Sequence, residues 1–288
     1  MRLEFLKARR GELGPIRKAC ELMRVSKSGY CEYVHRRKSN AQIEREALEG
    51  FVEDVFERHH ARCGYRRISR ELRRTGIFAS EKRVLRIMRR LGLAAKGAAR
   101  KHGIQKRVEP GDPRLNLVER VFAVNERNRL WVGDITYVPT SEGWLHLAAV
   151  VGALSRKVVG WSMSDRITEK AAIDAIGQAV GRERPPDGGS LVFRDDQGAR
   201  YTSKAFQRCL DPHGITQPAP RPGTPLDNAV AESFFKTLER ELVKGGGCKA
   251  REEAKRDIFK YIELCYNAVR MHSTLGYVSP VEYERRCA

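Results

Sequence analysis

The sequence predicts an α/β domain with a mixed sheet, preceded by an all-α region. Three observations carry this reading. Apolar residues recur at helical spacing up to about Leu91, whereas from Leu130 onward they form β-rich runs separated by short turns. Between the two, residues 94–114 mix small residues, charges, Gly and Pro without periodicity, as a linker does. The charge is also uneven: residues 1–115 hold 30 Lys+Arg against 14 Asp+Glu, which leaves 25 against 22 for the remainder of the 55 and 36. A basic first part and a near-neutral second part point to a polyanion partner for the first and a different task for the second. The expected division is a helical region over 1–93, a basic linker over 94–122 and an α/β domain over 123–288 with a C-terminal helical extension.

In chain order, residues 15–33 read as two short helices around a turn, with Ser26 capping the second, in the manner of a helix-turn-helix unit. A longer helix is expected from Gln42 to His60, with Ile43, Ala47, Phe51, Val55 and Phe56 inward. Helices over Tyr65–Arg74 and Glu81–Leu91 follow, the latter capped by Ser80 and ended by Gly92. Val84, Ile87, Met88 and Leu91 give that helix an apolar face, and Arg83, Arg86, Arg89 and Arg90 an arginine-rich flank. Such a flank suits contact with DNA phosphates and guanine edges. Three strands, Leu130–Pro139, Trp144–Val151 and Arg156–Ser164, form a meander. A helix Thr168–Val180, a strand Ser190–Asp196, a helix Ser203–Asp211 and a short strand Ile215–Pro218 complete a five-stranded sheet flanked by helices.

Pro225–Val243 then reads as a helix with Asp227 as N-cap and an apolar stripe of Ala231, Phe235, Leu238 and Leu242. Glu232 lies beside that stripe, on one face with Asn228 and Lys236. Alone, Glu232 and Lys236 are an ordinary exposed ion pair. Two β-rich segments upstream also carry aspartates, however: Asp134 in LWVGDITYVPT, and Asp195 and Asp196 in SLVFRDDQGARYTS. Carboxylates from two strands and a helix that meet at one point repel one another unless a cation holds them, and hard divalent cations prefer such oxygens. Strand parity separates Asp195 from Asp196 without choosing between them.

Seven scattered cysteines with no CxxC pair suit a reducing compartment. His59, His60 and Cys63, with His102, make only an incomplete zinc set, because no second Cys/His pair stands at finger spacing. No apolar run approaches the ~20 residues needed to span a membrane, so a cytoplasmic, nucleoid-associated protein is expected. For the C-terminal part a helix over Glu252–Asn267 is expected to cover the core, with Arg270 and His272 open to a role beside DNA or metal.

The segments WVGDITYVPTSEGWLHLAAVVGALSRKVVGWSMSDR, DDQGARYTSKAF, DNAVAESFFKTLERE and YNAVRMHSTLGYVSPVEY, in that order, resemble the OrfB transposases of the IS-three family of bacterial insertion sequences. So does the separation of Asp196 from Glu232 by 35 residues. The N-terminal CELMRVSKSGYCEY and CGYRRISREL are similar to the helix-turn-helix region of that family. The resemblance implies a ribonuclease-H-like, retroviral-integrase-like DDE core in which Asp134, Asp196 and Glu232 are the catalytic, metal-binding triad. It implies two Mg²⁺ ions, with Mn²⁺ as a substitute, and strand cleavage and strand transfer by direct phosphoryl transfer. Lys236 and Arg240 would join the four arginines as DNA contacts, and Asn228 would support the glutamate-bearing helix. The implied partners are the element's terminal repeats, target DNA, an OrfA product or OrfA–OrfB fusion, and further copies of the chain. The pattern departs from the family at Arg194 and Asp195, at Gly152 and at Glu239, and the alternative is a decayed copy that acts only as a DNA-binding repressor.

Overall fold

The computed structural model describes residues 2–35, 38–97, 126–183, 191–195, 201–218, 229–243 and 249–287. These fall into two compact units, Met1–Val55 and Phe56–Ala288. In the first unit, α1 (Arg2–Ala8), α2 (Ile16–Leu22) and α3 (Lys27–His35) pack around Leu6, Ala19, Cys20 and Tyr30. Ser26 caps α3 as expected, accepting from Gly29 N at 3.0 Å. The unit boundary falls inside α4 (Asn40–Arg58). The inward face of α4 is Leu48, Val52, Val55 and Phe56, whereas Ile43 and Phe51 are 52% and 46% exposed. Val55 and Phe56 are buried as expected, but Leu48 and Val52 complete the inward face in place of Ile43, Ala47 and Phe51, because two overlapping apolar stripes run along this helix and only tertiary packing selects between them.

In the second unit, α5 (Tyr65–Arg74) and α6 (Glu81–Arg90) pack through Ile68, Leu72, Val84, Ile87 and Met88, all buried. Ser80 caps α6 by accepting from Arg83 N, and Ser69 Oγ donates to Ala79 O across the intervening turn. A sheet in the order β3-β2-β1-β4 follows, built from β1 (Leu130–Thr140), β2 (Gly143–Gly152), β3 (Val158–Ser164) and β4 (Val192–Arg194). The first three strands are antiparallel, and β4 runs parallel to β1. The expected fifth strand is reduced to one parallel bridge, Val192 with Thr216. Pro218, two residues on, has no N–H to extend that ladder.

Helices cover both faces. On one side α7 (Glu169–Glu183) and α8 (Lys204–Leu210) bury Trp131, Ala148, Val150, Phe193 and Phe206. On the other, α9 (Ala229–Leu238) and α10 (Arg251–Lys260) bury Val132, Leu145, Leu147, Val151 and Phe234. Both α9 and α10 run on into π-helical turns, Glu239–Val243 and Tyr261–Asn267. The edge strand β3 is closed by a side chain: Asn267 donates to Val158 O and accepts from Val158 N, each at 2.9 Å. The last helix, α11 (Pro280–Cys287), places Glu284 where it accepts from Ser155 Oγ at 2.7 Å and pairs with Lys157 at 3.1 Å. Among the described residues no helix is long and apolar enough to cross a membrane.

Close approach of α7 to β3 depends on Gly160. A Cβ there would run into the carbonyl of Ala175 and stand 2.7 Å from Ala179 N. Gly160→Ala is expected to destabilise the second unit by about 1–3 kcal/mol through overpacking, read as a lower midpoint in urea denaturation. An unchanged midpoint would mean that the helix moves away from the sheet at no cost.

Candidate active site

Asp134 sits in the middle of β1, between β2 and β4, opposite Ala149. Leu130, Val132 and Val138 of the same parity belong to the core under α9, and Trp131 and Ile135 of the other parity face α7 and α8. The Asp134 side chain therefore rises on the α9 face. It is half-buried, and its Oδ1 accepts from Ile135 N at 2.7 Å. Glu232 lies in the first turn of α9, a helix clamped to that same face by Val230, Ala231, Phe234, Phe235 and Leu238. Its neighbour is the one the spacing predicts: Lys236 Nζ donates to Glu232 Oε2 at 2.7 Å, with the carboxylate side chain 45% exposed. An exposed i,i+4 pair of this kind is weak and readily exchanged for a stronger cation. Hard, half-buried carboxylate oxygens on one face of the sheet fit a divalent cation such as Mg²⁺.

Asp196, Asn228 and the expected cap Asp227 lie outside the described residues. Asp195 is described, and its Oδ2 accepts from Gln217 Nε2 at 2.6 Å. Among the described residues no three His, Cys, Asp or Glu side chains are grouped closely enough to hold a metal. Arg83, Arg86, Arg89 and Arg90 are all exposed on α6, away from Val84, Ile87 and Met88. Lys236 and Arg240 are exposed one turn apart, and Arg240 Nε donates to Lys236 O at 3.0 Å. Burial pushes the Cys63 thiol up to about 11, so it is protonated at neutral pH.

Sequence reasoning missed a buried ionic centre where α9 ends. Glu241, in the π-helical turn after α9, accepts from Arg270 Nη2 at 2.8 Å and Nε at 3.1 Å, from Tyr261 Oη at 2.9 Å and from Arg67 Nη1 of α5 at 3.4 Å. Burial alone would raise the Glu241 pKa, but the hydrogen bonds and charge of Arg270, with Arg67, hold it below the ordinary carboxylate value. Beside it, burial and then the positive charges of Arg270, Arg67 and Arg156 push His272 down to about 3, so its ring is neutral at physiological pH. Arg270, which the sequence left open to a role beside DNA or metal, is committed to Glu241. No periodicity marks Glu241, and beside the equally charged Glu239 and Arg240 nothing in the sequence singles it out as the buried one.

A carboxylate on the central strand and another on a helix crossing the same face of a mixed sheet are the frame of a ribonuclease-H-like polynucleotidyl transferase. Comparison with known proteins gives the same class. The Integrase core domain family matches residues 124–225, a second Integrase core domain profile matches residues 232–287, and the HTH-like domain family matches residues 42–105. Over 252 residues the chain is 44% identical to the transposase for insertion sequence element IS904 of Lactococcus lactis subsp. lactis (strain IL1403), covering 88% of this chain and 99% of that protein. It is 35% identical to transposase InsF for insertion sequence IS3A of Escherichia coli (strain K12), covering 99% of each. The chain belongs to the IS3 family of insertion-sequence transposases. Among solved structures, the catalytic core domain of BIV integrase aligns with 55% of this chain and 95% of its own at 21% identity and a TM-score of 0.42. The HTLV-2 integrase catalytic core domain in complex with magnesium aligns with 54% and 94% at 18% identity and a TM-score of 0.40.

The ionic centre yields a double-mutant test. Arg270→Met strands the Glu241 carboxylate in the interior and is expected to cost about 3–5 kcal/mol in urea denaturation, whereas adding Glu241→Gln recovers much of that loss. Strictly additive losses would mean that the two side chains are not coupled.

Proposed function

We propose that the chain binds the ends of its insertion sequence and catalyses strand cleavage and strand transfer there, with Asp134, Asp196 and Glu232 as the carboxylates of the site. The observation that carries this is the β1–β4 register. Val132 pairs with Arg194, an offset of 62 (194 − 132), and Asp134 and Asp196 are separated by the same offset, 196 − 134. Strand parity favours Asp196 over its neighbour for the same reason. Arg194 pairs with Val132 on the α9 side, while Asp195 has the parity of Phe193, which is buried under α7 and α8, and Asp195 is bonded to Gln217.

In this reading Asp134, Asp196 and Glu232 hold two Mg²⁺ ions, with Mn²⁺ as a substitute. Bound there, the metal supplies Lewis acidity that activates a water or 3′-hydroxyl oxygen and stabilises the leaving oxygen in an in-line displacement at phosphorus. The chain does the rest. The Ile135 N–H fixes the Asp134 carboxylate, and the packed strand and helix fix where the two described carboxylates stand. Lys236, once exchanged from Glu232, is free to meet a DNA phosphate one turn along α9, with Arg240 beyond it. Arg83, Arg86, Arg89 and Arg90 present a basic flank to the duplex backbone. Residues 1–93 serve as the DNA-binding region, 94–122 as linker and 123–288 as catalytic domain. Pairing two element ends calls for at least two copies of the chain, and an OrfA product or OrfA–OrfB fusion is the further partner.

The test is incubation of the purified protein with supercoiled plasmid carrying the DNA that flanks its own gene, with Mg²⁺ or Mn²⁺, beside Asp196→Asn and Glu232→Gln. Metal-dependent nicks and joined products at the element ends, lost in both variants while DNA binding persists, are expected. Specific binding without any cut in the wild-type chain would favour the repressor reading. Equal loss of binding and chemistry in Glu232→Gln would make that residue structural.

A further inference from the structure

Within the second unit, a concave pocket of about 550 Å³ opens beside the Glu241 centre. Its walls are the loop between α4 and α5, Lys96, the π-helical turns after α9 and α10, and Arg270. Seven Lys and Arg side chains line it against two acids, Glu241 and Asp257. Arg67 and Arg270 are engaged by Glu241, and Lys249 by Asp257 at 2.5 Å. Arg62, Lys96 and Lys260 contribute to the cavity's excess of positive charge, and a concave wall focuses such a field.

Arg62 is the most telling of these. Its guanidinium lies 5.2 Å from the ring centre of Tyr261, its Nη1 donates to Cys265 Sγ at 3.3 Å, and its Nε is buried without a hydrogen-bond partner among the described residues. A buried donor on a permanent cation calls for an anionic acceptor. The loop that carries it is strained: His60 and Ala61 have φ of 53° and 58°, in the left-handed region that non-glycine residues rarely adopt. It is also braced, since Lys96 N donates to Ala61 O at 2.7 Å. At the rim, Leu264 and Val269 are 64% and 49% exposed, an apolar border that suits a sugar next to a charged group.

The geometry points to a phosphate-binding pocket formed by Arg62, Lys96 and Lys260, which takes a phosphodiester of DNA or a free phosphate. Its DNA arm rests on the function proposed above. Neither Asp134 nor Glu232 lines it, so it acts as an anchor and leaves the reacting atoms elsewhere.

Three forms of the full chain serve as the test: wild type, Arg62→Gln and Lys260→Gln. Lys260 is exposed, so its replacement leaves packing intact even if Arg62→Gln lowers the thermal midpoint. A short labelled DNA duplex is titrated across a series of salt concentrations, and inorganic phosphate is titrated separately by calorimetry. Weaker duplex binding in both variants, with the slope of log affinity against log salt reduced by about one, supports the pocket with DNA as its ligand. Loss of a saturable inorganic phosphate signal with duplex affinity unchanged supports it with free phosphate as the ligand. Wild-type behaviour of both variants in both titrations overturns it. Failure of the catalytic reading would show instead as carboxylate variants that still cut DNA, which is independent of either titration.

Discussion

The buried pairing of Glu241 with Arg270 is the constraint on which the placement of Glu232 depends. Glu241 stands nine residues beyond Glu232 on the same continuous helical run, so fixing one end limits how the other can rotate or slide. Arg67 from α5, and Tyr261 and Arg270 from the segment after α10, reach it and bind these two segments and the end of α9 into one block. A buried ion pair of this kind adds little net stability over a well-packed apolar substitute, but it is costly to break, and that asymmetry favours a single arrangement. The two π-helical turns belong to the same arrangement. One carries Glu241 and the other Tyr261, and a wider turn at these points turns both side chains toward a common centre.

The opposite face of that helical run has the opposite chemistry. Glu232 is half-exposed and, among the described residues, pairs with a solvent-facing lysine, where a carboxylate can change partner at little cost. Rigid support at one end and an exchangeable carboxylate at the other are what a metal-dependent site on a helix needs. The strand supplies the second requirement. The Asp134 carboxylate takes its own neighbour's N–H, and Ala149 opposite it leaves room above the sheet.

Much of this was legible in the sequence because it is local. Ser26 and Ser80 mark helix starts through hydrogen bonds to nearby backbone, and both caps are present. β-rich apolar runs between short turns marked the strands and set Asp134 inside the first of them. The Glu232–Lys236 pair follows from spacing alone. What was not legible depends on contacts distant in sequence. The inward face of α4 is chosen by what packs on it, Asn267 seals β3 from 109 residues away, and Glu241 meets Arg67 across 174. The shortening of the fifth strand to one bridge reflects a proline that reads equally well as a strand end or a loop start. The choice between Asp195 and Asp196 also needed the structure, because parity has meaning only once the faces of the sheet are known.

The most direct measurement of the central claim is the anomalous diffraction of Mn²⁺ in crystals of the full chain, beside crystals of Glu232→Gln. Metal density bounded by Asp134, Asp196 and Glu232 in the first, and lost or displaced in the second, is the predicted result. Metal held by other side chains, or density unchanged by the substitution, would contradict the assignment of these three carboxylates.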